Sequence, residues 1–154
     1  MKDLSNLICR AKRKDNGDWV EGYYFPYQDM HFMFTTEAKN SEHFYLMDYA
    51  IEVDPKTVGR HTGLTDKNGK KIFEGDMVTY PDGDGGYEYC DITTNIGVVT
   101  WATDSACFYA TNANTSEFPD TWDCITEIEV IGNIYDTPEI LEGDTGKEEE
   151  IKRG

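Results

Sequence analysis

The sequence predicts a small, mainly β, single domain built from antiparallel hairpins, with one short helix near the C-terminal end. Three observations predict it. Short apolar and aromatic runs alternate with polar residues along most of the chain, and none holds apolar residues at a sustained 3.6-residue spacing. Asn-Gly pairs at Asn16-Gly17 and Asn68-Gly69 fall between such runs, where tight turns join antiparallel strands. Ten Tyr, seven Phe and three Trp are spread through 154 residues, a composition that buries a core instead of staying disordered.

Taken in order, Leu7–Lys12 and Trp19–Phe25 read as a hairpin over Asn16-Gly17, with Pro26 closing the second strand. His31–Phe34 and Phe44–Met47 read as two further short strands. Tyr49–Val53 alternates before the Asp54-Pro55 break. Thr62–Leu64 and Lys71–Phe73 flank the Asn68-Gly69 turn, where two successive positive φ values are expected. Met77–Tyr80 is a strand stopped by Pro81–Gly86. Asn95–Trp101 and Ala106–Ala110 make a hairpin over Thr103–Ser105, and Asn112–Asp120 is a polar surface loop. Glu127–Tyr135 alternates, and Thr137–Leu141 starts a short helix with Pro138 at its first turn. The expected organisation is one domain over 1–141, with a hairpin region 1–60 and a core-motif region 61–141. Residues 142–154, rich in Gly and charge, form a disordered acidic tail.

Charge narrows the partners. The net charge is −16; residues 1–71 balance 11 basic against 11 acidic side chains, whereas Ile72 to Leu141 holds 14 acids and no Lys or Arg. Such a surface repels phosphates, so nucleic acid is a disfavoured partner. It is equally suited to keeping the chain soluble and to meeting a cationic protein. No run reaches the roughly 18 apolar residues of a membrane span. Met1–Leu7 lacks the apolar core of a secretory signal, which points to the cytoplasm and leaves the Asn114-Thr115-Ser116 sequon without meaning. Cys9, Cys90, Cys107 and Cys124 form no Cys-x-x-Cys, and three of them lie in apolar runs. Reduced thiols acting as small core hydrophobes are therefore expected.

A longer pattern runs His61-Thr62-Gly63-Leu64-Thr65-Asp66-Lys67-Asn68-Gly69-Lys70-Lys71-Ile72-Phe73-Glu74-Gly75-Asp76-Met77-Val78, then Gly97-Val98-Val99-Thr100-Trp101, then Ile131-Gly132-Asn133-Ile134-Tyr135-Asp136-Thr137-Pro138. With Arg10-Ala11, Trp19-Val20 and Asp54–Gly59, it resembles the YopX family of phage and prophage proteins over roughly residues 8 to 141. The resemblance implies a mainly β domain of a bacterial host's mobile element, with self-association, and carries no established activity. Thr62, Gly63, Leu64, Asp66, Asn68, Gly69, Glu74, Gly75, Asp76, Trp101, Gly132 and Asn133 read as a fold motif: types that build turns and strand starts. A Gly-Asp entry into an apolar strand after a tight turn also occurs in SH3-like barrels. By that analogy, the C-terminal part is expected to close like one.

Candidate chemistry is thin. His31, His43 and His61 lack metal-ligand spacing and read as surface or turn histidines. Asp82–Glu88 resembles a calcium loop but puts Tyr87 where that loop needs Gly and Thr93 where it needs Glu. Glu74 and Asp76 are two apart, and Asp76 is expected to cap a turn by accepting backbone amides. A metal-assisted hydrolase around His61 and Asp76 is the remaining enzymatic option. No catalytic, cofactor-binding or metal-ligating residue is assigned, and no cofactor is expected. Tyr23, Tyr24, Tyr27 and Tyr109 offer aromatic contact area, and Asp82, Asp84 and Glu88 an acidic one. The expected role is a non-enzymatic accessory protein acting by protein–protein contacts, its partners being itself and an unknown host or phage protein. The alternative is an acidic nucleic-acid mimic that inhibits a cationic host protein.

Overall fold

The structure is a computed structural model and describes residues 7–35, 49–81, 94–111 and 127–144. Among these residues there are ten strands in two antiparallel sheets and one α-helix. The chain divides into two compact units, Met1–Gly63 and Leu64–Gly154.

The first unit contains β1 (Cys9–Lys12), β2 (Trp19–Tyr27), β3 (Met30–Thr35), β4 (Ala50–Glu52) and the start of β5 (Gly59–Thr65). Strand order is β4-β3-β2-β1-β5. β1 and β2 pair from Cys9↔Gly22 to Lys12↔Trp19. Their connection closes with Gly17 N–H donating to Arg13 O at 3.0 Å and Arg13 N–H to Asp18 O at 2.8 Å. Gly17 has a φ of 76° there, while Asn16 keeps a negative φ. The sheet curls until the end of β4 reaches the end of β1, where Arg13 and Val53 form a single bridge. Asp54 caps the 3-10 turn Pro55–Thr57 by accepting from Lys56 N–H at 3.0 Å. Thr57 Oγ1 then accepts from Lys12 N–H at 2.8 Å, tying that turn to β1. Ala11, Met33 and Val53 form the core, with Cys9, Val20, Tyr24, Ile51 and Val58 packed on it.

Pro26 does not end β2, which runs on to Tyr27. His31, opposite Pro26, turns its carbonyl toward the other neighbour and accepts from Val53 N–H at 2.9 Å. In an antiparallel strand a residue's N–H and C=O point the same way, so Pro26 sits at a non-hydrogen-bonded pair. Its missing donor removes no ladder bond.

The second unit contains the end of β5, then β6 (Lys71–Phe73), β7 (Asp76–Pro81), β8 (Thr94–Ala102), β9 (Cys107–Thr111), β10 (Glu129–Asn133) and α1 (Glu139–Asp144). β7 to β10 form a sheet ordered β10-β7-β8-β9. β9 and β10 lie on opposite edges of it, so the described strands do not close into the SH3-like barrel expected from the Gly-Asp entry. Alternation buries one face: Val78, Tyr80, Val99, Ala110 and Val130 join Ile72 and Ile128 in a core, with Leu64 and Phe108 against it. The register of β10 shifts between Val130 and Gly132, a bulge at Ile131.

Several sequence expectations change. The Asn68-Gly69 turn has positive φ at Gly69 alone (79°). Gly69 N–H donates to Asp66 O at 2.9 Å and Asp66 N–H to Lys70 O at 2.8 Å. This wider loop places one residue in the left-handed region, whereas a two-residue type I′ turn would need two. Cys107 is exposed, because it opens β9 directly after the Thr103–Ala106 turn, and Cys9 is half-buried. The helix runs through Asp144, so residues 142–144 are helical and not part of a disordered tail. The expected strand Phe44–Met47, the loops 82–86 and 112–120, Cys90, Cys124, His43 and residues 145–154 lie outside the described residues.

Candidate functional site

The motif residues converge on backbone. Asp66 is buried, and its carboxylate collects three amides: Oδ1 accepts from Asn68 N–H and Lys70 N–H, both at 2.9 Å, and Oδ2 accepts from Val130 N–H at 3.0 Å. Burial alone pushes this carboxyl upward. The three amides and the nearby Lys70 charge outweigh it, leaving Asp66 below the usual carboxylate range. Lys67 N–H donates to Ile128 O at 2.9 Å, and Lys67 Nζ pairs with Glu129 Oε2. The Lys67 amide thus serves the Ile128 carbonyl just before β10 and the Asp66 side chain serves the Val130 amide within it, as a neighbouring strand would, covering that edge.

Asp76 meets the turn-capping expectation: buried, it accepts from Phe73 N–H through Oδ2 at 2.8 Å. Gly75, at a φ of 88°, donates to Val99 O at 2.8 Å and accepts from Ile134 N–H at 3.0 Å. Asn133 Oδ1 accepts from the amides of Tyr135 (3.0 Å) and Asp136 (2.9 Å). A Cβ at Gly132 would lie 2.1 Å from Thr137 Oγ1, so a side chain there fits only if Thr137 moves. Trp101 packs edge-on against Phe108, its cross-strand partner, with centroids 4.9 Å apart. Leu64 lies against the second core, and Thr62 and Glu74 are half-buried. Gly63 takes a φ of 87° within β5. Apart from Thr62 and Gly63, which lie at the end of the first unit, the motif builds the scaffold of the second.

The first unit presents a different feature. Cross-strand register puts Tyr23 opposite Phe34, Phe25 opposite Phe32 and Tyr27 opposite Met30, so these six share one face of the β2–β3 ribbon. Tyr23 is 47% exposed, Phe25 50%, Tyr27 52% and Met30 43%. Phe25 stacks on Tyr27 with centroids 6.5 Å apart and meets Phe34 edge-on at 6.1 Å. Further along the same face, Trp19 lies under Arg10 (4.6 Å from guanidinium carbon to ring centroid) and Lys12 (5.3 Å). Tyr24 does not belong to the patch. The strand alternation turns it to the opposite face, where it packs on the core and its hydroxyl meets His31 Nδ1 at 2.5 Å.

A sequence profile of the YopX protein family matches residues 9–142, which takes in both units' described strands. The chain belongs to the YopX family. It is also similar to a solved structure, protein EF1440 from Enterococcus faecalis, at 23% identity. That match covers 86% of this chain and 96% of that one, with a TM-score of 0.47. No curated protein matches the chain.

Of the expected contact residues in this YopX chain, Tyr23 and Tyr27 stand together. Tyr109 is half-buried in β9, and Asp82, Asp84 and Glu88 lie outside the described residues. Phe25, Met30, Phe32 and Phe34 were missed as partners of the two tyrosines. The signal was there: period two from Tyr23 through Tyr27 groups the odd-numbered residues once the strand is carried past Pro26. His61, expected at the surface or in a turn, is buried in β5. Among the described residues, no group of three His, Cys, Asp or Glu side chains stands together to hold a metal ion, and no helix is long and apolar enough to cross a membrane.

Proposed function

We propose that this YopX-family chain is a non-enzymatic accessory protein of a phage or prophage, working in the bacterial cytoplasm through contacts with other proteins, itself included. The observation that carries this reading is the open aromatic face of the β2–β3 ribbon. Four large side chains, each about half exposed, leave about 400 Å² of largely apolar surface facing solvent, taking roughly 200 Å² for each fully exposed side chain. A patch of that size on a soluble protein is frequently a binding site. The motif residues support the same reading, because Asp66, Gly75, Asp76 and Asn133 are engaged with backbone groups. The test is affinity capture from the natural host with the native chain and with Tyr27→Glu as baits. A partner retained by the first and lost from the second is expected; identical, empty captures together with a strict monomer at high concentration would end this reading.

A second reading draws on the 14 acids and absent cations of residues 72–141. An acidic inhibitor of a cationic host protein would bind by exposed charge, which salt screens over about 8–10 Å. Its affinity would fall steeply between low and physiological salt, whereas capture by the aromatic face would not.

A further inference from the structure

We infer that the aromatic face of β2–β3 packs against the same face of a second copy of this chain, as an isologous two-fold interface. This inference rests on the proposed protein-contact function and names its partner. The argument for a second copy is electrostatic. Two chains of net charge −16 repel one another, and the excess acid lies in residues 72–154, since residues 1–71 balance 11 acids against 11 bases. Within that balanced part, the stretch 22–35 holds one acid, Asp29, and no Lys or Arg. The side chains of Tyr23, Phe25, Tyr27, Met30, Phe32 and Phe34 carry no formal charge, and the charges beside them on the same face are of both signs: Glu21 and Glu52 against Arg10 and Lys12. Two copies meeting there bring apolar surface together in the charge-balanced part of the chain. A cationic partner gains little at such a face, having the carboxylates of residues 72–141 to meet instead.

Size points the same way. About 400 Å² of exposed aromatic and Met side chain per copy is roughly half of the 800 Å² that each partner contributes to a standard interface. Flanking residues of the ribbon would supply the remainder as a polar rim. Symmetry helps as well, since a two-fold axis through one patch needs only that the patch complement itself, and offset aromatic stacking does this without matched charges. The ribbon already uses that geometry internally between Phe25 and Tyr27.

The test is sedimentation velocity of the full chain between micromolar and a few hundred micromolar, at low and at roughly half-molar salt, for the native protein, Tyr23→Glu and Tyr27→Glu. Both substituted side chains stand at the exposed face, and circular dichroism of each variant confirms that the sheets persist. A reversible dimer is expected, tightening at high salt as the mutual repulsion is screened, with dissociation raised at least tenfold by either substitution. A dimer indifferent to both substitutions would overturn the inference while leaving the protein-contact reading standing. A dimer that weakens with salt would also overturn it, because charge and not apolar contact would then hold the copies. A native monomer throughout would overturn it too. The host capture with native and Tyr27→Glu baits would then decide separately whether another protein uses the face.

Discussion

Replacing Asp66 with asparagine isolates the carboxylate that covers the edge of β10. The side chain keeps its shape, but one of its two oxygens becomes an NH2 group. Whichever way the amide turns, a donor now faces a donor, either the Val130 amide or the paired amides of Asn68 and Lys70. The turn amides belong to exposed residues and can turn to water, so the lower-energy rotamer keeps its oxygen on Val130 and gives up the turn. Hydrogen bonds to a charged acceptor contribute about 1.5–3 kcal/mol each, and the rehydrated turn recovers part of that. The expected net loss is about 2–3 kcal/mol, which for a urea m-value of roughly 1–3 kcal/mol/M lowers the midpoint by about 1–2 M. The pH dependence has a definite sign. The folded carboxyl lies below its unfolded value, so its contribution is fully present above the unfolded pKa of about 3.9 and is lost as pH falls through the folded one. Urea unfolding followed by tryptophan fluorescence at pH 7 and below pH 4 reads both effects. A deficit near zero at pH 7, or one that stays constant as the wild type is acidified, would refute the account of Asp66.

Other substitutions test the close approaches. Gly22→Ala places a Cβ 2.1 Å from the backbone oxygen of Phe34, which cannot swing aside, so the β2–β3 pairing should be lost; amide hydrogen exchange over residues 20–35 reads it directly. Gly132→Ala meets Thr137 Oγ1 at the same 2.1 Å, but a side chain can rotate away. Its cost should be about 1–3 kcal/mol by thermal melt, with the Thr137→Ala background relieving part of it. Gly69→Ala has open space around the new methyl and suffers only from its φ of 79°, so a loss of about 1 kcal/mol is expected in the same melt. Cys107, exposed beside its turn, should react with a maleimide in the native protein before half-buried Cys9 does, as peptide mass mapping would show.

What the sequence determined by itself is local. Period-two alternation marked β2, β3, β7, β8 and β10, because side-chain direction in a strand depends only on the chain's own geometry. Glycine turned the chain at Gly17, Gly69 and Gly75, because a positive φ is a property of one residue. Asp76 was legible as a cap since its partner, Phe73 N–H, is three residues away. What tertiary structure decided depends on segments far apart in the chain. Asp66 finds Val130 across 64 positions, and nothing between them announces that a turn will cover the edge of a later strand. His61 is buried, and its amide reaches Ile8 O, a partner that no local pattern indicates. Pro26 stays inside its strand because Val53 takes the His31 carbonyl from the far side, and that pairing fixes which face of Tyr23–Tyr27 is left open. Alternation groups residues onto faces, but only the neighbouring strands decide which face meets a core and which meets solvent.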